Sequence, residues 1–212
     1  ATMLPEQLPS RAANRGRWLG LLLIGSLALA VRVGAIFVLD SHHEAFTYEH
    51  GEIAENLLAG RGFSVRFLGA QGPTSQQAPG YPLLLAACYA VFGAGPPALL
   101  AMQLLQAVAG TAVVLATMWL AWMLLPSRRE LGWTAGVLAA LAPPHIYMVT
   151  HIQVVTWAAL GLTLFLGLAL SPRFASRWWG VALAGAVAGL MLLFEPILAL
   201  ATPIAAWAVL RT

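Results

Sequence analysis

Lysine is absent from these 212 residues, cysteine occurs once, and charged residues of any kind make only 9%. That is well under half of the ~25% usual in soluble domains, while hydrophobic residues reach 60%. A water-soluble chain could not cover its surface with so few charges, so composition points to an integral membrane protein. Long apolar runs rather than alternating patterns select helices over a β-barrel. The single Cys88 excludes an intrachain disulfide. The net charge of +3 comes from arginine alone. Most arginines stand beside apolar runs, which is an orientation signal, and no nucleic-acid partner is expected. There is no internal repeat and no low-complexity tract.

What is present divides into six apolar segments, roughly 18–39, 97–125, 131–149, 152–170, 178–194 and 196–210. Each is near the length that crosses about 30 Å of hydrocarbon at about 1.5 Å per residue, the last two falling short. Tyr81 to Phe92 is apolar but too short to span, and reads as an interfacial stretch. The first segment has a rival reading as a signal peptide, with Arg15 and Arg17 ahead of it and Ala28-Leu29-Ala30 imitating a cleavage site. The apolar run resumes after Arg32 and continues to Leu39, which favours a retained helix. The expected fold is all-α and polytopic: a cytoplasmic segment 1–17, a first transmembrane helix 18–39, an outer loop 40–96 with interfacial helices, and helices two to six within 97–212.

Arginine placement orients these spans. With the N-terminus in the cytoplasm, Arg11, Arg15, Arg17, Arg128, Arg129, Arg173, Arg177 and Arg211 all fall inside, leaving Arg61 and Arg66 in the outer loop. Arg32 lies within the first span, about 10 Å below Leu39 by helical rise, and needs a partner or a route to the interface. Seven tryptophans lie near the cytoplasmic ends. Gly132–Gly136 and Gly185–Gly189 have the spacing of close helix contacts. Six of the eight carboxylates (Asp40, Glu44, Glu49, Glu52, Glu55, Glu195) and all five histidines then gather on the outer side.

The segment "HHEAFTYEHGEIAENLLAGRGFS", residues 42–64, carries most of that charge. Tyr48 to Ala59 reads as an amphipathic helix, with Ile53, Leu57 and Leu58 as an apolar stripe and Glu49, Glu52 and Asn56 on another face. Gly60 and Gly62 stop it. A solvated acidic face on an interfacial helix would look the same. "GPTSQQAPGYPLLLAACYAVFG" follows, a proline-punctuated loop leading into an apolar helix.

Together these stretches, with "IA-x-NLL-x-G-x-GFS" followed by "PT…P-x-YP-LLLA…FG", resemble the first outer loop of the GT-C superfamily of membrane glycosyltransferases. The branch is the bacterial one similar to dolichyl-phosphate-mannose protein mannosyltransferases. The resemblance covers residues 40 to 93. It implies transfer of a sugar from a polyprenyl-phosphate-linked donor to an acceptor on the outer face of the membrane. Such a reaction needs a carboxylate base toward the acceptor hydroxyl, groups that hold the donor phosphate, and an apolar groove for the lipid.

Glu49 holds the acidic position of the resembling motif and is the first candidate for the base. Asp40, at the membrane edge, is the alternative. Arg61 and Arg66 are candidate donor-phosphate ligands or lipid-headgroup contacts, and Glu52 could assist them or bind metal. His145 and Glu195 are expected to line the same outer cavity, or to be solvated residues at helix ends. Tyr81 reads as an interfacial apolar residue. His42, His43 and Glu44 are candidate ligands of a divalent cation but lack a third spaced ligand, so no metal site is assigned, and a divalent cation is the one cofactor the segment could take. Expected partners are membrane lipid, the lipid-linked donor and other membrane subunits. Six spans are fewer than this superfamily usually carries. The expectation therefore divides between part of a longer enzyme and a shortened, non-catalytic accessory subunit of a membrane complex.

Overall fold

The computed structural model describes residues 11–203 and Trp207. It is 75% helix and 4% strand, which makes the fold class all-α as expected. Its helices are α1 (Arg11–Val38), α2 (Tyr48–Leu58), α3 (Gly80–Phe92), α4 (Pro96–Leu124), α5 (Arg129–Leu141), α6 (Pro143–Met148), α7 (Val155–Leu170), α8 (Pro172–Ala175) and α9 (Trp178–Phe194). A 3-10 turn follows at Pro196–Ala201. One antiparallel hairpin, β1 (Ser64–Phe67) with β2 (Ala70–Pro73), stands between α2 and α3.

Two helices are long and apolar enough to cross a membrane, Arg15–Val38 and Pro96–Leu124. The remaining expected spans are shorter or broken. The 131–149 segment is two helices, because Pro143 and Pro144 offer no N–H and hold Ala142 in an extended conformation with ψ 113°. α5 is thus about 20 Å long by its rise. The expected 152–170 helix begins only at Val155. The sixth segment opens as a 3-10 turn rather than an α-helix, and residues 204–206 and 208–212 lie outside the described residues.

α4 is the packing centre, running against α1, α3, α5 and α7. Gly132 and Gly136 let α5 close on Trp122 and Met118 of α4. Gly185 and Gly189 face no neighbour within 4 Å, so the second small-residue spacing makes no such contact among the described residues. An aromatic cluster ties the Arg17 end of α1 to the same region. The Arg17 guanidinium lies 4.9 Å from the Trp122 ring, and Trp122 meets Trp133 edge-on at 5.0 Å.

Arg32 is buried within the protein. Its guanidinium donates to the carbonyls of Ala28, Ala139 and Ala140 at 3.0–3.3 Å. The last carbonyls of a helix have no partner in their own helix, and the prolines after α5 cannot supply one. Arg32 therefore caps α5 from α1 and pins the two together, and its partner is backbone rather than a carboxylate.

Candidate functional site

α2 and α3 form a lid of two packed helices beside the first helix end, with Ala54, Tyr81, Leu85 and Cys88 in a shared core that continues into α4. The face of α2 turned inward is His50, Ile53, Ala54 and Asn56, spaced three and four apart. This corrects the expected stripe, because Leu58 is exposed and Asn56 is buried. Asn56 Nδ2 donates to the Ser64 carbonyl at 2.7 Å, and its Oδ1 accepts from Arg61 Nε at 2.8 Å. One amide thus closes the Gly60–Gly62 turn, where both glycines have φ near +72°.

Glu52 accepts the Arg66 backbone N–H at 2.6 Å, capping the outer edge of β1. Arg61 and Arg66 are exposed. Their hydrogen bonds are structural ones, on the α2–hairpin face. Glu49 is exposed in the first turn of α2, and Gln77 Nε2 donates to its Oε2 at 3.3 Å.

Gln77 links Glu49 to an open groove of about 510 Å³. Phe63, Gln76, Gln77, Val154, Phe194 and Glu195 are among its walls. Glu195 reaches it from the end of α9 because α3 and α9 meet there without a side chain between them. A Cβ on Gly80 would lie 2.7 Å from the Leu193 carbonyl oxygen. Phe194 stacks on Trp157 with ring centroids 5.5 Å apart and planes 14° apart, giving the groove a flat aromatic backing. The groove therefore offers a carboxylate, amides and an aromatic face, with a second carboxylate one hydrogen bond away.

The other expected site residues lie elsewhere. Arg61, Arg66 and Glu52 do not line the groove, and neither do Asp40 and His145. His145 is exposed on α6. Asp40 sits in the turn after α1 with His42 and His43, its Oδ1 2.6 Å from His43 Nδ1 and 3.8 Å from His42 Nδ1. The residue that joins the two histidines is thus Asp40 rather than Glu44.

Four polar residues the sequence did not single out, or placed at the surface, are buried on α2, α3 and α4. Tyr81 is fully buried and its hydroxyl donates to Gln106 Oε1 at 2.6 Å. Gln106 Nε2 donates to the carbonyls of Val149 and His151, and Gln103 Nε2 to those of Thr150 and Ser41. The imidazole of His50 lies 4.7 Å from the Tyr81 ring, with its Nδ1 shielded and unpartnered. Burial pushes the His50 pKa down, opposed by the charge of Glu49, and pushes the Tyr81 phenol far up. A usable signal was the pair Gln103 and Gln106 inside an apolar run, since buried amides in such a helix need partners. Comparison with protein-family models, curated proteins and solved structures finds no match, so the reading of this site rests on its own residues.

Proposed function

We propose that this chain is a membrane glycosyltransferase-like protein that takes a sugar from a polyprenyl-phosphate-linked donor on the outer face of the membrane. The observation that carries the reading is the groove wall. Glu195 comes from the far end of the chain and Glu49, through Gln77, from the loop that resembles the superfamily motif. A carboxylate beside amides and a flat aromatic face suits a hydroxylated ring, and Glu49 is the base toward the acceptor hydroxyl. In this reading both termini are cytoplasmic and residues 40–96 are outside. The shorter helices α5, α7 and α9 are accommodated by local thinning of the bilayer. A cysteine introduced at Ala70 in a Cys88→Ser background is then labelled by an impermeant reagent only from the outer side. Labelling only from the cytoplasm rejects that orientation.

The activity test is sugar release from a panel of polyprenyl-phosphate donors in nanodiscs. Glu49→Gln keeps fold and donor binding and lowers turnover by about 10²- to 10⁴-fold. Glu55→Gln, exposed on the same helix, leaves turnover within about twofold. Equal turnover in both variants removes Glu49 from the mechanism. A non-catalytic accessory subunit is the second reading. It is favoured by the apolar face of α1, where Trp18, Leu19, Leu22 and Leu23 stay exposed and suit contact with partner helices as well as lipid. Absence of turnover in the wild-type chain across the panel selects it.

A further inference from the structure

We propose that the Asp40–His42–His43 turn is a binding site for a borderline-soft divalent metal ion of the Zn²⁺ class, independent of the groove. One ligand atom from each of the three residues lies within 4.8 Å of the other two. Two imidazoles and one carboxylate are the donor types that Zn²⁺ takes at about 2.0–2.2 Å, with an open position for water. Tetrahedral donors at such lengths stand about 3.4 Å apart. The observed Asp40–His43 and Asp40–His42 separations of 2.6 and 3.8 Å bracket that value. Small rotations of the side chains bring all three onto one ion.

The turn is held before any ion arrives. Asp40 N donates to the Phe37 carbonyl and Ser41 N to the Ile36 carbonyl, the paired bonds that close a helix C-terminus. Asp40 occupies the left-handed position of that closure with φ 49°, where glycine is the usual residue. Ser41 is tied to Gln103 of α4 in both directions, Oγ to Oε1 at 3.4 Å and Nε2 to the carbonyl at 3.3 Å. Phe37 packs its ring against His42 at 5.6 Å. These contacts orient the ligands, as the surroundings of metal-bound histidines commonly do. His42 supplies the most direct sign. Its side chain is only 12% exposed, and its Nδ1 faces Asp40 at a distance too long for a hydrogen bond, shielded and without a partner. A shielded ring nitrogen left unpaired is unfavourable, and a metal ion supplies the missing bond.

The test uses tag-free full chain stripped with chelator and titrated with Co²⁺, whose visible absorption reports tetrahedral nitrogen and oxygen ligation. Wild type gives a saturable visible band at one ion per chain, and competing Zn²⁺ bleaches it. His43→Ala and Asp40→Gly weaken binding at least about tenfold, while Glu44→Gln and His145→Ala change it less than about twofold. Asp40→Gly suits the left-handed position, so its metal-free thermal midpoint equals or exceeds that of wild type, and its loss of binding is loss of a ligand. Zn²⁺ raises the midpoint of wild type and leaves that of Asp40→Gly unmoved. Absence of the visible band at stoichiometric Co²⁺ overturns the proposal. So does unchanged affinity in His43→Ala together with Asp40→Gly. Neither readout depends on sugar transfer.

Discussion

α1 and α4 are nearly equal in length, 28 and 29 residues, and both carry a long apolar stretch. Their best windows have mean hydropathies of 2.4 and 1.9, yet 22% of the α1 window is buried against 56% of the α4 window. The more hydrophobic helix is the less buried one. In water this would be a contradiction. In a bilayer it is expected, because lipid tails are as apolar as leucine and association rests on packing and hydrogen bonds. α1 turns leucines outward, whereas α4 turns Gln103, Gln106 and Gly110 inward, where they hold the other segments. Polarity, more than hydropathy, marks the central helix.

The comparison breaks most visibly at Gln106. Gln106→Leu strands the Tyr81 hydroxyl and the Val149 carbonyl, while the His151 carbonyl keeps the Gln153 N–H. At about 1–3 kcal/mol for each buried group left unpaired, the loss is about 2 kcal/mol or more. Leu22→Ala on the exposed face of α1 stays within about 0.5 kcal/mol. Thermal unfolding in detergent reads both, and equal shifts refute the distinction between the helices.

Glycines give the next largest contrast. A Cβ on Gly110 of α4 would lie 2.7 Å from Arg32 Nε, whose guanidinium is held by α5 carbonyls, while Gly34 of α1 has nothing within 4 Å. Gly110→Ala therefore destabilises by about 1–3 kcal/mol. Gly34→Ala is neutral or stabilises by up to about 1 kcal/mol through helix propensity. The same melting experiment compares them, and a stable Gly110→Ala removes Arg32 as a fixed contact.

His50 tests the lid that leans on α4. Its folded pKa is depressed by burial, so below the ordinary histidine value near 6.5 the unfolded chain takes up a proton that the folded chain resists. Stability is then full above that value and falls as pH drops through the window beneath it. His50→Gln flattens this part of the profile. An unchanged slope between wild type and variant places the pH dependence elsewhere.

The smallest effect belongs to the hairpin tip. Leu68 is 92% exposed with φ 48°, next to Gly69 at φ 85°. Two left-handed residues make the turn that matches strand twist, and asparagine tolerates the first position better than leucine. Leu68→Asn raises stability by up to about 1 kcal/mol. Amide exchange across the β1–β2 ladder measures it, slower in the variant.

Helical class, the two long apolar helices, α2 and the apolar stretch at α3 were legible because each is written in local period, composition and Gly or Pro punctuation. The break at Ala142 went unread although Pro143 and Pro144 mark it, because a hydropathy window runs across it without notice. The hairpin had a weak signal in Leu68-Gly69 between two short extended runs. At the candidate site, the sequence supplied Glu49 and Glu195 as candidate residues, while Gln77, which joins Glu49 to the groove that Glu195 lines, carries no pattern.

By itself, then, the sequence determined the all-α class, the membrane-compatible apolar content and the crowding of carboxylates and histidines into a few segments. Those properties follow from how each residue partitions and from its neighbours in the chain. The tertiary structure alone decided that α4 is central, that Arg32 caps α5, that Asp40 joins His42 and His43, and that Gly80 lets α3 close on α9 beside Glu195. Each of these depends on which surfaces meet, and apolar helices of similar hydropathy give no sequence preference among neighbours. Shape, small residues and buried hydrogen bonds make that choice.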